Sequence, residues 1–146
     1  MYKKKLFISN LAWNHFDTNM VLKLLKYYSI NGIDIAPIKI NNTWNHCEMS
    51  MKKFHKKISL FGLKVNAVQG VFYKTNFNLF EKNHKSKIYN HILKILKISK
   101  ILNCNKIIIG SSNFRNNNKL STSESDIIFL DFFRKIIPLI KKHKIY

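Results

Sequence analysis

Apolar runs of strand length alternate with stretches of helical periodicity along the chain, and this limits the fold more than any other feature. Residues 4–11, with Leu6-Phe7-Ile8 at their centre, read as a strand. Asp17 offers an N-cap to a helix with Val21, Leu24, Leu25 and Tyr28 at helical spacing, and Asn31-Gly32 supplies the left-handed turn that ends it. Ile33-Asp34-Ile35-Ala36 is a second strand, stopped by Pro37, with a loop through Asn41, Asn42 and Trp44 behind it. Met51, Phe54, Ile58 and Phe61 share one side of a helix over 48–60 that Gly62 closes. Leu63 to Phe72 is a third strand, followed by a polar loop over 74–85. Ile88, Ile92, Ile95, Leu96 and Leu102 mark the buried face of a helix over 87–102, and Ile107-Ile108-Ile109 centres a fourth strand over 105–111. After a loop over 112–122, Ser123 caps a last helix that runs to Lys142. Glu124 and Asp126 lie in its first turn, and Pro138 is set to kink or shorten it. The order β-α-β-α-β-α-β-α implies parallel strands joined by right-handed helical crossovers. Both the open doubly wound sheet and the closed (β/α)8 barrel are built from this unit.

Composition removes several other classes. A chain of 146 residues with 46% hydrophobic content is one domain's length and too apolar to stay disordered. Cys47 and Cys104 are its only cysteines, so it is no disulfide scaffold. Lys3-Lys4-Lys5 ahead of Leu6-Phe7-Ile8 looks like the start of a signal peptide, but the apolar run breaks at Ser9-Asn10. No apolar stretch reaches the ~18 residues of a membrane span. The expectation is a soluble cytoplasmic protein with reduced thiols. The net charge of +19 invites a nucleic-acid partner. However, 24 Lys stand against 2 Arg, with 21 Ile, 18 Asn and 3 Ala, a bias toward A/T-rich codons. The lysines are also dispersed, so nucleic acid takes a minor share, and a weak attraction to phosphorylated metabolites remains.

The first strand-to-helix turn separates the two architectures. A nucleotide site uses a Gly-rich loop so that backbone can approach phosphate. Here the turn is Asn10-Leu11-Ala12-Trp13-Asn14-His15-Phe16, without glycine. Bulky polar and aromatic groups at a strand's C-terminal end suit a sugar-binding barrel mouth. Five segments then resemble the xylose isomerase-like (β/α)8 barrels, in particular the sugar phosphate isomerase/epimerase group. They are Ile8-Ser9-Asn10-Leu11-Ala12-Trp13, Gly32-Ile33-Asp34-Ile35-Ala36-Pro37, Gly62-Leu63-Lys64-Val65-Asn66-Ala67-Val68-Gln69, Asn90-His91-Ile92-Leu93 and Gly110-Ser111-Ser112-Asn113-Phe114-Arg115. The last departs from the family's habit of Pro after Gly-Ser, with Ser112 in that place.

The resemblance implies an α/β fold: a single partial domain over 1–146, the N-terminal half of a TIM barrel, with four βα units and parallel strands. A full barrel needs eight units and about 250 residues. By that measure the chain is truncated ahead of the strands that carry the family's metal ligands and catalytic Glu. The divalent metal expected for the full-length family (Mn, Mg or Zn) would then not be bindable by the residues seen here. The outer strands would present open edges, which calls for a missing half-barrel or a homo-oligomer.

The candidate substrate-binding residues each carry a plainer alternative. Asp34 alternates with Ile33 and Ile35 and faces the other way, toward a sugar hydroxyl or merely toward nearby backbone. Gln69 closes the third strand with the parity of Val65 and Ala67, where a neutral amide suits a hydroxylated ligand or simply meets solvent. Arg115 follows the fourth strand beside Ser111 and Ser112, fit for a phosphate or a surface ion pair. Trp13 can stack on a sugar face and His15 can act as acid or base, or both can be ordinary loop residues. His91 reads as a structural histidine and Cys104 as core, while His46-Cys47-Glu48 are too close in sequence to converge on a metal.

The leading functional expectation is a metal-dependent sugar or sugar-phosphate isomerase/epimerase whose first half is inactive by itself. One rival is an abasic-site endonuclease-like nucleic-acid-binding protein of the same barrel type. The other is a non-catalytic remnant or assembly subunit.

Overall fold

The computed structural model describes residues 5–117 and 120–146. Lys3 and Lys4 of the signal-like start, and Asn118 and Lys119 of the expected last loop, lie outside them. The elements are β1 (Phe7–Ser9), α1 (Thr18–Tyr27), β2 (Gly32–Ile35), α2 (Pro37–Asn41), α3 (Cys47–Ser59), β3 (Lys64–Val68), α4 (Lys85–Ile101) and α5 (Thr122–Lys142). The three strands form one parallel sheet in the order β1-β2-β3. Parallel neighbours need a long return path, and α1 supplies the first, α2 and α3 the second. Ile33, Ile35 and Val68 are fully buried in one core with Leu22, Met51, Ile58 and Ile95 from the helices.

Two asparagine side chains extend the β1–β2 ladder beyond the short strands. At its start, Asn31 Oδ1 accepts from Leu6 N at 2.7 Å while Asn31 N donates to Leu6 O at 2.9 Å. At its end, Asn10 Oδ1 accepts from Ala36 N at 2.8 Å and Asn10 Nδ2 donates to Ala36 O at 3.2 Å. The buried Asn10 amide thus replaces a backbone pair, and no polar group of the pair is left without a partner.

Several expectations change. The third strand stops at Val68, and the fourth is reduced to a single parallel bridge between Val68 and Ile107. Val68 N donates to Lys106 O at 2.9 Å and Ile108 N to Val68 O at 2.8 Å. Gly70, at φ +60°, turns the chain out of the sheet at the residue whose backbone would make the next pair. On the other side of Ile107, Ile107 N donates to Tyr146 O at 3.2 Å and Tyr146 N to Asn105 O at 2.7 Å, so Tyr146 runs beside this segment.

Gly32 does not end α1; Ser29, at φ 54°, makes that left-handed turn. Gly32 lies in β2, where a Cβ would stand 2.0 Å from the Lys64 carbonyl oxygen. Asp17 occupies the N-cap of α1 without a side-chain cap bond. The inward face of α1 is Thr18, Leu22 and Leu25, while Leu24 and Tyr28 are exposed. Thr18 sets that rotation, because its hydroxyl donates to His15 O at 2.7 Å and accepts from Trp13 Nε1 at 3.3 Å. Pro37 starts α2 at its first turn, where a missing N–H costs nothing. Ser121, not Ser123, caps α5 through a reciprocal box with Glu124. Pro138 does not shorten α5: it lies on an exposed turn, where water can satisfy the freed carbonyl one turn back.

Replacing Gly32 by Ala forces β2 and β3 apart. The G32A variant is expected to lose about 3 kcal/mol of stability, whereas G110A, with open space around Gly110, stays near wild type. Urea unfolding of both variants checks this.

Candidate functional site

The sheet has one face in the core and one face away from it. Ile33 and Ile35 point into the core, so Asp34 points to the opposite face. The pairing of β2 with β3 shifts register between Ile33 and Asp34: Ile33 faces Val65, but Asp34 faces Ala67. Asn66 is the extra residue of this bulge. The bulge corrects the expected parity of Gln69. Val65 pairs with the core-facing Ile33, whereas Gln69 lies two residues beyond Ala67 on the side of Asp34. Gln69 N also donates to Ile35 O at 2.8 Å, which holds it to β2.

A chain of polar side chains runs across this face. Gln69 Nε2 donates to Ser9 Oγ at 2.5 Å and lies 3.3 Å from Asp34 O. Asn66 Nδ2 donates to Asp34 Oδ1 at 2.7 Å, and Lys106 Nζ reaches Asn66 Oδ1 at 3.4 Å. Ser9 Oγ also accepts from Leu11 N at 3.1 Å. Both lone pairs of Ser9 are therefore engaged, and its O–H is left to donate. The second oxygen of Asp34 and the Gln69 amide oxygen have no described partner and can accept. One donor and two acceptors, held by neighbours on half-buried backbone, match the hydroxyls of a polyol.

Asp34 and Gln69 are thus brought together; the other expected residues are not. Trp13 is half-buried, bonded to Thr18, and lines a small cleft with His15, Asn10 and Phe54. His15 is exposed in a short turn with its ring near Phe16. Arg115 sits in a separate exposed turn, where its backbone N donates to Ser111 O and Ser112 O and its guanidinium has no described partner. Ser9, Asn66 and Lys106 complete the polar face and were not singled out by sequence. Ser9 carried a legible signal, since it pairs with Asp34 if the two strands are aligned by their apolar residues.

No protein-family model matches the sequence, and no curated protein matches it. Solved structures do match in shape. A probable 3-DHS dehydratase, AsbF, involved in petrobactin synthesis in Bacillus anthracis superposes with a TM-score of 0.70 at 12% identity. The match covers 98% of this chain and 50% of that one. A sugar phosphate isomerase/epimerase from Parabacteroides distasonis superposes with a TM-score of 0.71 at 12% identity, over 99% of this chain and 50% of its own. This chain spans about half the length of both neighbours, whose fold is the xylose isomerase-like barrel. The chain has the fold of half a (β/α)8 barrel. At such low identity the likeness concerns the fold alone.

In the half-barrel, the polar face of the sheet corresponds to the barrel's interior, and Ser9, Asp34 and Gln69 stand toward the C-terminal ends of the strands, where barrel enzymes hold their ligands. Among the described residues no three His, Cys, Asp or Glu side chains converge as a metal site, and Asp34 is the one carboxylate of the polar chain. These residues do not fit a divalent ion by themselves. No described helix of the half-barrel is long and apolar enough to cross a membrane.

Aromatic packing fixes the segment that follows β3. Phe72 stacks on Phe114 with ring centres 3.7 Å apart, and Leu79 N donates to Phe114 O at 2.9 Å. His91 is 6% exposed, donates from Nε2 to Val71 O at 2.6 Å, and meets Trp44 edge-on at 4.5 Å. Burial pushes its pKa below the ordinary value, with Lys94 adding to the effect and the Val71 bond opposing it. Burial likewise pushes the Cys47 thiol up to about 11, so it is inert as a nucleophile.

The His91 shift has a sign. Below its ordinary pKa the unfolded chain takes up a proton that the folded chain refuses, so stability falls as pH drops from 6.5 toward the lower folded value. The melting temperature is expected to fall more steeply between pH 7.5 and 5.5 in wild type than in H91Q; equal slopes would exclude His91 as the source.

Proposed function

We propose that this half-barrel supplies the ligand-contacting part of a site for a sugar or sugar phosphate, serving isomerisation or epimerisation in the cytoplasm. The observation that carries the reading is the trio of groups on Ser9, Asp34 and Gln69 with bonding capacity left over, facing away from the core at the ends of β1, β2 and β3. The shared fold with a sugar phosphate isomerase/epimerase supports it.

Each residue has a stated task. The Asp34 carboxylate, oriented by Asn66, accepts from one hydroxyl of the ligand. The Gln69 carbonyl accepts from a second, and the Ser9 hydroxyl donates to an oxygen between them. Lys106 places positive charge at the far end of the polar chain, bonded to Asn66. Arg115, with its guanidinium free of described partners, is the candidate contact for a phosphate. Trp13 and His15 would border the ligand rather than hold it. Proton transfer next to a carbonyl needs a second acid–base group and charge stabilisation that the polar chain does not contain. We infer that turnover requires a complementary half-barrel, which would also bring any divalent ion's ligands.

Saturation-transfer NMR against a panel of free sugars and sugar phosphates tests the reading. D34N and Q69A are each expected to weaken binding about tenfold, the loss of one strong hydrogen bond. R115Q is expected to weaken only the phosphorylated members. Absence of binding to every member would overturn the proposal. Isomerisation by residues 1–146 alone, with Mn²⁺ or Mg²⁺ added, would overturn the requirement for a second half.

A further inference from the structure

The end of the sheet opposite the polar face's ligand groups holds a second open cleft. It lies where α4 and α5 finish, and Lys100, Asn103, Asn105, Lys142, His143 and Lys144 line it. Its volume is about 520 Å³, open to solvent. No Asp or Glu lines it. Among the described residues the ion pairs are Lys97 with Glu48 and Lys135 with Asp131, so the three lysines of the cleft keep their charge unneutralised. The side-chain amides of Asn103 and Asn105 also have no described partner. His143 is tied through Nδ1 to Leu139 O at 2.8 Å and serves as wall.

The helix dipole accounts for a lysine at the end of each helix, since cations are favoured there. It does not account for the two helix ends, Lys144 and two unpaired amides opening on one cleft. Lys144 and Asn103 both have left-handed backbone, at φ 54° and 50°, so each stands in a tight turn just past its helix. The local arrangement stands apart from the chain's overall lysine excess: three lysines and two amide side chains around one space, with no Asp or Glu among the lining residues.

We propose that this cleft binds an anion carrying two or more phosphate groups, independently of the sugar reading. Three ammonium groups match two or three phosphates, and the amides offer donors to their oxygens. The phosphates can belong to a free polyphosphate or to a nucleic-acid backbone.

The test must separate this cleft from bulk charge. Inorganic tripolyphosphate and a short single-stranded oligonucleotide are titrated into wild type, into K100Q/K142Q/K144Q, and into the charge-matched control K23Q/K52Q/K53Q. All six positions are exposed, and thermal melting confirms that both variants fold. The cleft variant is expected to bind at least tenfold more weakly, and the control within about twofold of wild type. With the oligonucleotide, the slope of log affinity against log salt is expected to become shallower by about 2 in the cleft variant. Binding of tripolyphosphate identifies a free phosphate ligand; binding of the oligonucleotide alone identifies a backbone. Equal losses in both variants, or no binding of either probe, would overturn the proposal.

Discussion

The structure depends on β2. Among the described residues it is the strand flanked by a full strand on each side, and its residues divide strictly between two environments. Ile33 and Ile35 enter the core, while Asp34 faces the other way and anchors the polar chain. Its first residue must be glycine, because the Lys64 carbonyl lies where a Cβ would stand. Its end is held by the Asn10 amide bonded to Ala36. Packing, pairing and the candidate site therefore share the same four residues, and an error in β2 would damage all three together.

The fold class was legible because burial imposes a period. Ile88, Ile92, Ile95 and Leu96 mark the inner face of α4 at helical spacing, and the structure buries each of them. Ile33 and Ile35 mark a strand in the same way. Periodicity failed where one hydrogen bond decides the geometry. Thr18 turns α1 so that Leu24 and Tyr28 face solvent, although both fit an apolar pattern. Gly70 ends the sheet amid residues that read as a continuous strand. Ser121 and Ser123 are both plausible caps by type, and only the spacing to Glu124 favours the first.

The candidate site was half legible for a related reason. Asp34 and Gln69 stand out as polar residues within apolar runs. Ser9 and Asn66 are ordinary polar residues until strand pairing places them beside Asp34 and Gln69. Their partners are tens of residues away in sequence, so local pattern cannot reveal the contact. Arg115, a rare arginine, drew notice for its chemistry, yet the structure sets it in a turn of its own.

The bulge at Asn66 lets β3 carry an extra residue without losing either face. A strand presents alternate residues to opposite sides, yet Val65 and Gln69, four apart in sequence, serve opposite faces because Asn66 stands between them. Removing Asn66 would leave Val65 opposite Ile33, Ala67 opposite Asp34 and Val68 opposite Ile35, so Gln69 would keep its side and Asp34 would lose its Asn66 donor. The facing of Gln69 is therefore set by pairing with β2 and not by residue count. A lineage could gain or lose a residue here and keep the polar face, a change that comparison of aligned residue types would register as a gap.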